Sequence, residues 1–138
     1  MQLPANTIIG SGPVIIENGR VLLNREEKKY GSELFMFPGG VIKNFNETLE
    51  NCAKREFLEE MGADMKIIGQ LPTLLVKRVG FENALAILVH YLAKRIGKIR
   101  PGNEIIEWGW YDIDNLPDNC AENVYQIVDE IKSKKYDI

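Results

Sequence analysis

Leu49, Ala53, Phe57 and Met61 recur at every fourth position, in a chain whose other apolar residues mostly run in strand-like blocks. That repeat puts all four on one helical face, and it predicts a helix over 47–61 that stops at Gly62, a natural left-handed cap. Beside this stripe, Glu56 and Glu60 are four apart, and Glu59 is three from Glu56. The three carboxylates therefore share one patch, with Glu60 nearest the stripe and expected to be partly desolvated. Like charges at these spacings cost roughly 0.2–0.5 kcal/mol each even when exposed. Glu59 and Glu60 also meet the negative end of the helix dipole. Conflicts of this density tend to mark a functional site.

The rest of the chain reads as strands and one more helix. "TIIGSGPVIIENGRVLLNRE" carries two apolar runs split by Asn18-Gly19, a hairpin signal. "ELFMFPGG" (33–40) reads as a short strand stopped by Pro38 and two glycines. "DMKIIGQLPTLLVKRV" and "ENALAILVHYLAKRI" read as strands joined around Gly80, and "EIIEWGWYDIDNLP" as a strand ending in a turn. In "AENVYQIVDEIKSKK", Val124, Ile127, Val128 and Ile131 form the stripe of a closing amphipathic helix. Two helices without regular βαβ alternation predict an α+β fold, a mixed β-sheet sandwiched between α-helices. At 138 residues one domain over 1–138 is the expectation.

The net charge of −3 offers no general attraction to nucleic acid or to an anionic membrane. No apolar run approaches the ~20 residues of a membrane helix. Cys52 and Cys120 fit neither a metal spacing nor a disulfide framework, and no leader pattern opens the chain, so a cytoplasmic location is expected. His90 lies in an apolar strand pattern and reads as a packed residue. Taken alone, the glutamate patch fits either a solvated acidic face, with Arg55 pairing Glu59, or a divalent-cation site of hard oxygen ligands, Mg²⁺ or Mn²⁺.

The context favours the cation. Pro38-Gly39-Gly40 allows close backbone approach, and Glu47 stands eight residues before Arg55. The segment resembles the Nudix box, G-x5-E-x7-R-E-U-x-E-E-x-G-U with U apolar. From Glu47 through Arg55-Glu56-Phe57-Leu58-Glu59-Glu60-Met61-Gly62-Ala63 the match is complete. Gly40 matches the leading glycine, but six residues separate it from Glu47 where the pattern has five. The insertion leaves the helix register intact and bears on the loop backbone, including the Gly40 carbonyl. The resemblance extends loosely over the whole chain, to the W-x5-L-P element from Trp110 to Pro117.

The resemblance implies a Mg²⁺-dependent hydrolase (Mn²⁺ a substitute) that directs water onto a phosphorus of a nucleoside diphosphate linked to another moiety. By position it makes Glu56, Glu59, Glu60 and Gly40 metal ligands, and Arg55 and Glu47 the pair that orients them. Glu59 is the first choice for general base, with Glu82, Glu104 and Glu107 as alternatives outside the box. Arg25, Phe35, Lys77, Arg78 and Glu82 are candidates for substrate contact. The compact chain leans toward a nucleoside triphosphate cleaved to monophosphate and pyrophosphate. ADP-ribose, a nucleotide sugar, or a non-catalytic nucleotide-binding role stay open, as does a homodimer.

Overall fold

The structure, a computed structural model, describes residues 2–27, 34–78, 80–134 and 136. Eight strands and two helices follow in the order β1 (Ile8–Val14), β2 (Ile16–Glu17), β3 (Arg20–Glu26), β4 (Gly40–Val41), α1 (Leu49–Met61), β5 (Asp64–Gln70), β6 (Leu74–Lys77), β7 (Leu85–Ile96), β8 (Ile105–Asp112) and α2 (Glu122–Ser133). The α+β class holds, with two sheets in place of the one anticipated. One sheet has the order β4-β1-β7-β5, with β6 also on β7, and the other the order β2-β3-β8. β1 runs parallel to β7, and the other pairings are antiparallel.

β7 organises the larger sheet. Its 12 residues pair with β1 along one edge and with β6 and β5 in series along the other. The single strand expected from "DMKIIGQLPTLLVKRV" is thus two, divided at 71–73 around Pro72, which has no N–H for a ladder; Val79, at its far end, lies outside the described residues. Within the expected strand 33–40, Glu33 lies outside the described residues. Of the rest, Phe35 and Met36 make only isolated bridges to Cys120 and Asn24. Gly40, expected to stop that strand, instead begins β4. The Asn18-Gly19 turn forms as expected, with φ of 54° and 74° and Glu17 paired to Arg20.

Strand alternation sorts the core into two layers. Val14, Val21, Leu23 and Leu92 pack with Val124, Ile127, Val128 and Ile131 of α2. Their neighbours Ile15, Leu22, Tyr91 and Ala93 pack with Ala53, Phe57 and Met61 of α1. A side-chain period of two sends adjacent residues to opposite faces, so the strand layer lies between the two helices. Among the described residues no helix is long and apolar enough to cross a membrane.

Candidate active site

α1 is held firmly at both ends. Thr48 Oγ1 accepts from the Asn51 N–H at 3.1 Å, and Gly62 closes the helix at φ 69° with its N–H on the Leu58 carbonyl at 3.0 Å. The loop after β7 caps the same end, because Arg100 and Gly102 donate their N–H groups to the Met61 and Glu60 carbonyls at 2.6 and 2.8 Å. Ser11 Oγ, on β1, donates to the Leu49 carbonyl at 2.8 Å. These contacts fix the rotation and height of the glutamate face.

Arg55 is the hub of that face. Its Nε and Nη2 donate to the two Glu47 carboxylate oxygens at 2.9 and 2.8 Å. Its Nη1 donates to Glu56 Oε1 at 2.8 Å and, more weakly, to Glu59 at 3.3 and 3.4 Å. Glu47 lies just before the Thr48 cap, not in the first turn of the helix, so the eight-residue spacing is bridged by the reach of the guanidinium. The hydrogen bonds from Arg55 hold the Glu47 carboxyl below its ordinary range, and Glu47 in turn raises Arg55 further. Arg55 Nη2 also touches Cys52 Sγ at 3.7 Å. That thiol is buried, which pushes its pKa up to about 12 and leaves it a poor nucleophile.

Glu56 and Glu60 are both buried, 8% and 9% exposed, whereas Glu59 is open to solvent. Sequence reading anticipated the burial of Glu60 but not that of Glu56. The cause of the latter is Gly40: a Cβ there would overlap the Glu56 carboxylate. Glycine at 40 is therefore a requirement of close approach. Glu60 Oε2 accepts from the Gly39 N–H at 3.3 Å and Asn24 Nδ2 at 3.4 Å. Burial, followed by the neighbouring Glu26 carboxylate, raises the pKa of Glu60 well above the usual carboxylate range.

These side chains line a cavity of about 670 Å³ with Gly39, Gly40, Lys43, Glu26, Asn103 and Glu104. Glu104 thus joins the box glutamates, while Glu82 and Glu107 are elsewhere. Glu107 pairs with Arg25 at 2.6 Å. None of the five substrate-contact candidates lines the cavity. Arg25 stands over the Phe35 ring at 5.2 Å, Phe35 is buried in the α2 layer against Tyr111, Lys77 ends β6, and Arg78 stacks on Phe81 at 3.8 Å.

A second cavity, of about 170 Å³, shares Gly39, Gly40 and Val41 with the first. It is lined mainly by apolar and backbone groups of Ile8, Gly10, Phe37 and Leu88, together with His90 and Asn123. His90 is packed, as expected, but it also meets Asn123 Nδ2 at 3.1 Å across 33 residues of sequence. Burial lowers its pKa to about 4.

Neither Glu26 nor Asn24 stood out as a site residue in the sequence. The signal was present in β3. Leu22 packs beneath α1, and two positions on, in the same alternation, a buried asparagine reaches Glu60.

The sequence profile of the NUDIX domain matches residues 11–131. The chain belongs to the Nudix family. It is 25% identical over 104 residues to an oxidized purine nucleoside triphosphate hydrolase of Danio rerio, covering 75% of this chain and 65% of that one. It is 33% identical over 107 residues to the NAD-capped RNA hydrolase NudC of Chromobacterium violaceum, covering 75% of this chain and 38% of that one. The chain thus spans less than two thirds of each of these relatives. Its fold matches the crystal structure of a MutT NUDIX hydrolase from Burkholderia pseudomallei with a TM-score of 0.80 at 22% identity, over 95% of this chain and 99% of that one.

Nudix proteins generally use divalent metal cations, and the donor set here suits one. Among the described residues, five carboxylates, Glu26, Glu56, Glu59, Glu60 and Glu104, line the main cavity, with Lys43 the one basic residue. They are hard oxygen donors, two of them buried against each other's charge. Among the described residues no three Asp, Glu, His or Cys groups converge into a finished cage. That fits a cation held by a few carboxylates and completed by substrate phosphates.

Proposed function

We propose that this protein is a Nudix pyrophosphohydrolase that cleaves a nucleoside triphosphate to the monophosphate and pyrophosphate. The observation that carries this reading is the clustering of Glu56, Glu59 and Glu60 in one cavity, with Arg55 latched to Glu47 and to two of the three. A Mg²⁺ or Mn²⁺ ion held by Glu56, Glu59, Glu60 and the Gly40 carbonyl would supply charge neutralisation for the phosphates and acidify water. Arg55 fixes the glutamate rotamers so that this charge is aimed before substrate arrives. Glu59, the most exposed of the three, would take a proton from the attacking water, and Glu104, which lines the same cavity, is the alternative.

The second cavity gives the rest of the nucleotide a place. It adjoins the first through Gly39–Val41, and among the described residues the Asn123 amide, the His90 imidazole and the Ser11 hydroxyl are polar groups in its largely apolar walls. It replaces Arg25, Phe35, Lys77, Arg78 and Glu82 as the preferred location for substrate contacts beyond the phosphates. Two relatives suggest the panel to test: an oxidised purine triphosphate and NAD, beside ordinary triphosphates, ADP-ribose and a nucleotide sugar.

The protein should be incubated with each compound and Mg²⁺ in ¹⁸O water, and the products weighed. The expected result is a nucleoside monophosphate and pyrophosphate, with label in one of them and no turnover in chelator. Inorganic phosphate as the sole first product, or unlabelled phosphate products, would overturn the reading. Binding without turnover of any compound would favour a nucleotide-sensing role. Retention of every box carboxylate argues against that role.

A further inference from the structure

Glu26 reaches the acidic cavity from β3, an element that contributes nothing to the Nudix box. It lines the same cavity as Glu56, Glu59 and Glu60, and Asn24, two residues before it on β3, donates to Glu60 at 3.4 Å. Glu60 is itself buried, and Oε2, the oxygen that accepts from Gly39 and Asn24, does so only at 3.3 and 3.4 Å. Carboxylates gathered in one cavity are unfavourable neighbours unless something positive lies among them. Strand alternation places Glu26 there: it continues the face of Leu22, which packs with α1, and of Asn24, which donates to Glu60. The extra residue where the pairing passes from Glu107 to Ile105 is Ile106, in β8. Arg25 pairs with Glu107, away from the cavity lining, while Glu26 lines the cavity.

We propose that Glu26 is an additional cation-facing carboxylate that works with Glu60, so that β3 and α1 grip the same divalent ion from two separate elements. The proposal rests on the cation reading above and adds a residue to it. It explains why a carboxylate of β3 shares the cavity with a buried carboxylate of α1. The ion would add a tie between strand and helix to those that Asn24 and Leu22 already make.

The test is a thermal melt of the full chain, stripped of metal, titrated with MnCl₂ in the absence of nucleotide. Wild type, Glu26→Gln, Glu26→Asp and Glu56→Gln are compared, with bound Mn²⁺ followed in parallel by its spin-resonance signal. Wild type should melt higher as Mn²⁺ rises. In Glu26→Gln the midpoint of that rise should move to about tenfold higher Mn²⁺. Its metal-free melting temperature should hold or increase, since the amide can donate to Glu60. Glu26→Asp keeps the charge one methylene shorter and should fall between; it serves alone if Glu26→Gln does not fold. A Glu26→Gln midpoint within twofold of wild type, while Glu56→Gln shifts, would overturn the role of Glu26 and leave the cation site standing. No response to Mn²⁺ in wild type would overturn both.

Discussion

The two helices flank the same strand layer and are nearly equal in length, yet they are built on opposite plans. α2 buries Val124, Ile127, Val128 and Ile131, starts with Glu122 and ends with Lys132, each charge suited to the helix dipole. It needs little help from its caps, and Ala121 provides no side-chain hydrogen bond. α1 buries Glu56 and Glu60 beside its apolar stripe and has no basic residue in its last turn. It carries a threonine cap, a left-handed glycine cap and two further N–H donors from the 100–102 loop. The helix that buries carboxylates has the heavier fastening at its ends, whereas α2 lacks a side-chain N-cap and closes on the Lys134 N–H to the Glu130 carbonyl at 3.1 Å. On the proposed function α1 carries the chemistry, while α2 serves mainly packing.

Substitutions should separate these roles, beginning with the largest effect. Glu56→Gln should lower turnover by about 100-fold or more, or ~2.7 kcal/mol of barrier, while the metal-free protein melts no lower than wild type. Parallel rate and melting measurements decide it, and a variant that loses both together would break the contrast. Ile127→Ala should do the reverse. Removing a fully buried side chain in such a layer costs roughly 2–5 kcal/mol, seen as a lower denaturant midpoint, with turnover per folded molecule retained.

Arg55→Lys comes next. An ammonium cannot present a planar fork to both Glu47 oxygens and also reach Glu56. The expected loss is about 10–100-fold in kcat with little change in stability, and near-wild-type kcat would mean that charge alone suffices. The last contrast is in pH. His90, beneath α2, has its folded pKa lowered to about 4 by burial, so below the unfolded value of ~6.5 only the unfolded chain takes the proton. Stability should then fall by up to ~1.4 kcal/mol per pH unit between about 6.5 and 4, and His90→Gln should flatten that part of the profile. Glu60, in α1, works in the other direction. Its folded pKa is raised, so the metal-free protein loses stability as pH climbs from the ordinary carboxylate range toward the folded value. Urea midpoints at acid and alkaline pH would show whether the two layers respond with opposite sign.

Much of this contrast could be read in the sequence because it is local. The four-residue repeat, Gly62 and the Asn18-Gly19 turn each act over a few residues, and both helices fall within two or three residues of expectation. The box glutamates and Arg55 also lie within one short segment. What escaped was set by distant pairing. The near-contact of Gly40 with Glu56 depends on β4 lying against β1. Glu26 looked like an ordinary charge at a strand end, because which face of β3 meets α1 is set by packing across the fold. The His90–Asn123 contact joins β7 to α2, and nothing near either residue announces it. Arg25 and Phe35 drew attention as isolated residue types, but the fold gives them to each other and to the α2 layer.

The loop between β4 and α1 has one residue more than the Nudix pattern, and its two ends are pinned. Gly40 is pressed against Glu56, and Glu47 is clamped by Arg55. A segment tethered at both ends can absorb extra length only by arching outward. The crest of the arch is Phe45, fully exposed beside a small turn in which Asn44 Oδ1 accepts from the Asn46 N–H at 2.9 Å. Length at this crest is therefore decoupled from the glutamates below. A fluorophore or spin label attached at 45 would ride above the cleft without touching its ligands, a built-in mast for reporting when the cleft fills.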